Sequence, residues 1–433
     1  MPPQTTFNRL LERHMTLAER DSHRQNTSAT SLINALLREA HAARASDLHL
    51  CPADDALIVR FRVDGSLHDA HMLPLHVHAE MVTRIKILAG LRTDEHQAPQ
   101  DGHFRFELAY YSPLFSAIDS PSTTIDVRVS IIPTYHGENA VLRILASHHS
   151  LATLASLGFN PHHQAILERA LKTPHGMILS TGSTGSGKTS TLYALLQLLN
   201  TRTRSIITIE DPVEYAINGI TQITVHKQTG LSFAEGLRSI LRQDPNVIGI
   251  GEIRDSETAA LAASAALTGH LVLSTLHTTD APMALPRLID LGVEPYLVSS
   301  SVHLVVNQRL IRRLCLGCRK KKTFTNGQQE KLALLVRTSP ETYRDNLSNI
   351  KHHYASKGCE ACGGTGTKGR IGVFEIMLVD GVLREAISRN VSAQDLRAIA
   401  ITQGMEALIV DGIRKAVAGL VSLDDALTLQ ANP

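Results

Sequence analysis

Residues 182–190 read Gly182-Ser183-Thr184-Gly185-Ser186-Gly187-Lys188-Thr189-Ser190, a set of residue types and an order suited to gripping a triphosphate. Glycines let the backbone curl so that successive N–H groups point at phosphate oxygens, and a helix starting there adds partial positive charge. In such a loop the lysine, Lys188, reaches the β- and γ-phosphates and the hydroxyl of Thr189 holds Mg²⁺. The apolar run 177–179 precedes the loop, and Leu192, Leu195, Leu196 and Leu198 follow at helical spacing. An eight-position pattern in a strand–loop–helix context speaks against a chance Gly/Ser linker.

Hydrolysis also needs carboxylates to complete the Mg²⁺ shell and to orient the attacking water. Two apolar runs end in acids: 206–209 leads to Glu210-Asp211-Pro212-Val213-Glu214, and 247–250 leads to Gly251-Glu252-Ile253-Arg254-Asp255. Glu252 is expected in the Mg²⁺ shell and Glu210 beside the water, although either acid alone would read as a solvated strand end. A third run, 271–274, is bracketed by His270 and His277. A histidine at a strand end can donate to a γ-phosphate and report its presence, while a chain with 22 histidines holds many with structural roles only.

A different chemistry is written at Cys315-Leu316-Gly317-Cys318 and Cys359-Glu360-Ala361-Cys362. Two C-x-x-C pairs, the second surrounded by Gly358, Gly363, Gly364 and Gly366, suit a closed tetrahedral Zn²⁺ site of structural type. A redox dithiol is the alternative; two pairs match a metal knuckle better than one active site. Cys51 stands alone as a small hydrophobe.

These residues need elements to position them. Strands are expected at 48–50, 57–63, 104–108, 124–132 and 140–145, with helices starting at Ser31 and spanning 79–89, and a hairpin turn at Asp64-Gly65. This is an α+β pattern. After a helix at 161–171, strands 177–179, 206–209, 247–250 and 271–274 alternate with helices 233–241 and 257–267, the pattern of a parallel sheet covered on both faces. Ligands bind at the C-terminal ends of such strands. From Asp280 onward the pattern reads as mostly helical, interrupted by the cysteine segment and closing with helices at 382–388, 393–402 and 405–418. The expected division is 1–29, a loosely held arm; 30–147, an α+β domain; 148–157, a linker; 158–310, the α/β phosphate-loop domain; 311–372, a tetracysteine zinc module; and 373–433, a C-terminal helical region.

Composition bounds the rest. A chain of 433 residues is too long for one ordinary core. Aromatic residues make up 4% and tryptophan is absent, which suits aliphatic α/β packing. The net charge of +2 creates no global demand for nucleic acid, despite the local run Arg319-Lys320-Lys321-Lys322. No apolar segment approaches the roughly 20 residues that span a bilayer, so a cytoplasmic location is expected, with the cysteines reduced.

Taken together, the phosphate loop, the acidic box at 209–214, Leu241-Arg242-Gln243-Asp244-Pro245 leading to Gly251-Glu252-Ile253-Arg254-Asp255, and Thr268-Gly269-His270 to Leu276-His277-Thr278 resemble the type II secretion and type IV pilus ATPases. The likeness extends upstream through Ala45-Ser46-Asp47-Leu48-His49-Leu50, Arg60-Phe61-Arg62-Val63-Asp64-Gly65, Gln100-Asp101-Gly102, Arg128-Val129-Ser130 and His136-Gly137-Glu138 to Arg143. It covers about 350 residues.

The resemblance implies a hexameric cytoplasmic motor, an α+β domain followed by a RecA-like ATPase domain, with ATP bound between the two. It makes Arg128 and Arg143 the arginines that reach the phosphates, with Arg60 and Arg62 as weaker candidates; a guanidinium is a rigid fork that keeps its charge. The implied partners are an inner-membrane platform and cytoplasmic adaptor proteins, which would place the motor peripherally at that membrane. Because assembly ATPases of this kind commonly carry the cysteine module and retraction ATPases lack it, assembly of a pilus or pseudopilus is expected. His103 departs from the arginine often found after Gln-Asp-Gly, the 109–123 connection is longer than usual, and the large N-terminal region that many members use for docking is not expected here. Two rival readings are a hexameric nucleic-acid translocase, disfavoured by near-neutral charge and few aromatic platforms, and a nucleotide-gated scaffold that does not hydrolyse, disfavoured by the complete loop and both acidic strand ends.

Overall fold

The computed structural model describes residues 29–108, 123–146, 153–226, 229–338 and 350–429. The expected N-terminal arm up to residue 28, the 109–122 connection and residues 148–152 of the expected linker lie outside them. The chain forms two compact units, residues 1–150 and 151–433.

In the first unit, strands β1 (Ala45–Pro52), β2 (Ala56–Val63), β3 (Ser66–Pro74), β4 (Gln100–Leu108), β5 (Thr123–Thr134) and β6 (Gly137–Ala146) form one sheet ordered β3-β2-β1-β6-β5-β4. Every described pairing in it is antiparallel. Alternate residues point to opposite faces of a strand. Leu48, Leu50, Val59, Val127, Val129 and Leu142 fall on one face and are buried against the helices Ala29–Ala42 and His78–Leu88 through Leu36, Leu37, Met81 and Ile85. Asp47, Arg62, Arg128 and Arg143 therefore share the other face.

The second unit is built on strands β7 (Gly176–Thr181), β8 (Ile206–Glu210), β9 (Thr221–Thr224), β10 (Val247–Ile250), β11 (Leu271–Leu276), β12 (Val302–Leu314) and β15 (Thr367–Leu378), in the order β15-β12-β7-β11-β10-β8-β9. All neighbours run parallel except β15, which is antiparallel to β12. Both faces are covered. Met177 and Leu179 of β7 join one core with the alanine face Ala259, Ala262, Ala263 and Ala266 of the helix Ser256–Leu267. Ile178 enters the other core with Leu192, Leu195, Leu196 and Leu199 of the helix Lys188–Leu199. That 3–4 spacing holds the helix under the sheet, each buried leucine contributing roughly 1.5–3 kcal/mol.

The structure corrects the expectation that the chain is mostly helical beyond Asp280. β12 and β15 are long strands, and the expected boundaries at 310/311 and 372/373 cut through them. Val302, Leu304, Val305 and Val306 are buried on both faces of the sheet, and an apolar run of that kind lacks the alternation that marks a half-buried strand. Among the described residues, only the short strands β13 (Arg319–Lys322) and β14 (His353–Ser356) stand apart, paired as a ribbon. Among the described residues no helix is long and apolar enough to cross a membrane.

Candidate functional site

The phosphate loop leaves β7 after Thr181 and turns into the helix Lys188–Leu199. Gly182, Gly185 and Gly187 have φ of +136°, +76° and +93°, conformations that side chains resist. At Gly182 a Cβ would also lie 2.4 Å from the Gln308 carbonyl oxygen. Lys188 Nζ donates to the carbonyls of Gly182 at 2.9 Å and Ser183 at 3.0 Å, so the ammonium lies across the loop. Burial pulls that ammonium below its ordinary value, and the Glu252 carboxylate opposes the shift. Ser183, Thr184 and Gly185 are exposed on the loop, as are Thr189 and Ser190 on the first helical turn, whereas Ser186 is buried.

Because β7, β11, β10 and β8 are parallel, their C-terminal ends line one edge. Glu252, just past β10, pairs with Arg254 at 2.5 Å and lies 3.4 Å from Nε2 of His277, just past β11. Ile253 N–H donates to Thr275 O at 3.0 Å and Thr275 Oγ1 donates to Gly251 O at 2.7 Å. These bonds fix the acidic turn against β11.

Glu210, at the end of β8, is buried. Tyr193 Oη donates to its Oε2, while Thr208 Oγ1 at 2.6 Å and Gln222 Nε2 at 3.2 Å donate to its Oε1. Burial and the neighbouring carboxylate drive the Tyr193 phenol far above its ordinary value, so it remains a donor. A carboxylate offers about four lone-pair directions, and three donors leave it one.

His270 does not join this group. It precedes β11 whereas His277 follows it, and at about 3.3 Å per residue the strand separates them by about 20 Å. His270 Nδ1 meets Ala265 O at 3.0 Å, and His270 O accepts from Gly176 N–H at the start of β7. It closes the edge opposite the phosphate loop, so the expectation that His270 donates to the γ-phosphate is corrected.

In the first unit, cross-strand register sets Arg62 opposite Asp47, Asp47 opposite Arg143, Arg143 opposite Arg128, and Arg128 opposite His103. The result is a row across β2, β1, β6, β5 and β4. Asp47 takes Arg143 Nε at 3.1 Å and Arg62 Nε at 3.6 Å. His49, on the same face, is pulled below its usual value first by burial and then, against the pull of Asp47, by Arg62, Arg60 and Arg143. Arg60 is paired with Asp69 at 2.8 Å. Arg62 and Arg143 thus flank one buried carboxylate, Asp47, on a face where Arg105 is likewise paired with Asp126 at 3.0 Å.

All four paired cysteines come together. Cys315 follows β12, Cys318 precedes β13, and Cys359 and Cys362 occupy the turn between β14 and β15. Their sulfurs lie within 4.8 Å of one another, with Sγ–Sγ distances of 3.8 Å for Cys315–Cys359, 3.9 Å for Cys318–Cys362 and 3.7 Å for Cys359–Cys362. A tetrahedron of thiolates at about 2.3 Å from zinc has edges of about 3.8 Å, so the donor set fits that ion. The N–H groups of Cys359 and Gly366 donate to Cys362 Sγ at 3.1 and 3.2 Å; burial raises that thiol, but these donors and the neighbouring thiols bring it down to about 6. At Gly358 (φ +93°) a Cβ would lie 2.1 Å from the Gly364 carbonyl oxygen, which explains glycine at that position of the knuckle.

Two residues that sequence reasoning passed over, Asn307 and Gln308 of β12, reach the loops around the site. Thr181 Oγ1 donates to Asn307 Oδ1 at 3.4 Å, and Asn307 Nδ2 donates to Thr279 O at 3.3 Å. Gln308 reaches the phosphate loop itself. The available signal was a pair of amides interrupting the apolar run that starts at Val302.

The model of the family described as "Type II/IV secretion system protein" matches residues 22–428. The chain is 42% identical over 396 residues to the type II secretion system protein HxcR of Pseudomonas aeruginosa, covering 92% of this chain and 76% of the relative. It is 40% identical over 396 residues to the type IV pilus assembly ATPase PilB of Myxococcus xanthus, covering 92% and 67%. Among solved structures, the ATPase DotB of Legionella pneumophila superposes with a TM-score of 0.66 at 18% identity, covering 95% of this chain and 98% of that one, a likeness of fold alone. With a complete phosphate loop, acids at the same sheet edge and a family match over nearly its whole length, this chain belongs to the type II/IV secretion system protein family and is an ATP hydrolase.

Proposed function

We propose that this protein is the motor that hydrolyses ATP to assemble a type II secretion pseudopilus or a type IV pilus, working as a RecA-like hexamer on the cytoplasmic side of an inner-membrane platform and its adaptors. The carrying observation is the phosphate loop after β7, with Lys188 lying across its carbonyls, at the same sheet edge where Glu252 follows β10 and His277 follows β11. In this reading residues 182–190 bind the phosphates, Thr189 and Glu252 hold the magnesium shell, and Glu210 orients water through the lone pair its donors leave free. His277 contacts Glu252 and is placed to sense the γ-phosphate. A bound magnesium ion, held by Thr189 and Glu252, would offset the negative charge of the triphosphate. Arg128 and Arg143 are the phosphate-facing arginines of the 30–147 domain, and the four cysteines hold a structural zinc ion. Relative movement of the N-terminal and ATPase domains would carry the work.

The test is steady-state hydrolysis with a separate measurement of nucleotide binding. Glu252→Gln should lower turnover about 10²- to 10⁴-fold while nucleotide still binds, and Lys188→Ala should abolish both. Unchanged turnover in Glu252→Gln would overturn the assignment of that acid. Nucleotide binding that survives Lys188→Ala undiminished would overturn the site.

A further inference from the structure

Gln308 is a fully enclosed polar side chain, 2% exposed, on a strand remote in sequence from the phosphate loop. Its Oε1 accepts from Thr191 Oγ1 at 2.7 Å and from Ser180 Oγ at 3.4 Å; its Nε2 donates to Ser186 O at 2.8 Å. The amide is therefore oriented by chemistry: hydroxyls feed its oxygen, and a carbonyl takes its nitrogen. Thr191, Ser180 and Ser186 are themselves buried, so a misdirected amide would strand several polar groups without solvent to replace the lost bonds. The backbone is close as well. A Cβ on Gly182 would meet Gln308 O at 2.4 Å, and one on Gly187 would meet Gln308 Nε2 at 3.0 Å.

The peptide between Ser186 and Gly187 is planar and trans, so its C=O and N–H point in opposite directions. Tying the Ser186 carbonyl to Gln308 therefore turns the Gly187 N–H away from that amide, and the N–H groups of such a loop are what phosphate oxygens meet. We propose that Gln308 is a positioning residue for nucleotide binding: its amide fixes the Ser186–Gly187 peptide plane and so presets a phosphate-binding N–H. The anchor comes from the sheet, because β12 is clamped between β7 and β15. Thr191 in turn sets the direction of the amide. This inference rests on the nucleotide site proposed above.

Gln308→Glu tests it, since the substitution keeps the shape and the acceptor for Thr191 and Ser180 but replaces the donor facing Ser186 O with an oxygen. The full-length chain is titrated with a fluorescent ADP analogue and assayed for hydrolysis. Gln308→Glu should weaken nucleotide affinity about tenfold or more and raise KM by more than it lowers kcat. Thr191→Val should weaken affinity by a smaller factor, and the double variant should bind no worse than Gln308→Glu alone, because both changes act through one amide. A purely structural role would lower the unfolding midpoint of the nucleotide-free protein and leave affinity untouched.

Affinity within about twofold of wild type in a folded Gln308→Glu protein overturns the proposal. If that variant does not fold, wild-type affinity in Thr191→Val overturns it instead. Failure of the wild type itself to bind nucleotide would count against the site as a whole, whereas normal wild-type binding with an unaffected Gln308→Glu counts against this inference alone.

Discussion

Glu406 is mostly buried, and burial by itself raises a carboxyl group's pKa. His163, 3.8 Å away, and Arg414, at 2.5 and 2.8 Å through its two Nη atoms, reverse that effect and bring Glu406 down to about 2. Its folded value lies below the unfolded one of 4.5, so the stabilisation is complete above about 4.5 and lost as pH falls through about 2. The shift corresponds to about 3 kcal/mol. Glu406→Gln should therefore cost roughly 2–3 kcal/mol in urea unfolding at pH 7, and the gap from wild type should narrow as pH falls from about 4.5 toward 2. At this same scale the sequence was legible where chemistry has a fixed spacing: the glycine loop runs from β7 into the helix that Lys188 begins, and the four cysteine sulfurs come together. It was not legible at Gln308, since a glutamine inside an apolar run gains meaning only when folding brings Ser186 to it from 122 residues away.

Among the elements, β7, β8, β10 and β11 were legible as short apolar runs set between helices, whereas β9, with no buried residue, was not. β12 and β15 were not, because each mixes a buried apolar run with polar and charged residues over 12 or 13 positions and so resembles neither a short apolar strand nor an alternating one. The turn after the short helix Leu154–Leu157 shows how tightly β15 is held. Gly158 closes that helix at φ +105°, with its N–H on Ala155 O at 3.1 Å. The next residue, Phe159, stacks on Phe374 of β15 with ring centroids 3.5 Å apart. A Cβ on Gly158 would lie 2.6 Å from Ile371 Cγ1 and 2.8 Å from the Gly372 carbonyl oxygen. Gly158→Ala combines a left-handed backbone with a collision against β15, and should destabilise the protein by roughly 2–4 kcal/mol in its urea midpoint.

Over the whole molecule, the tetracysteine cluster joins chain segments more than forty residues apart, with Cys315 paired to Cys359 and Cys318 to Cys362. Metal analysis of the purified protein should give about one zinc ion per chain, and a strong chelator should lower the unfolding midpoint; a zinc content near zero would remove the metal from the picture. Ribbon and knuckles also lean on the C-terminal helices, since Arg319 Nη1 donates to Gly419 O at 2.5 Å and Leu314 N–H to Leu420 O at 2.8 Å. Yet β12 and β15 remain directly paired out to Leu314 and Thr367, the two residues that bound everything between. Topologically, residues 315–366 are a graft at the tip of a hairpin. Evolution could splice such a graft in or out with a short turn, leaving the strand order beneath the glycine loop unrewired.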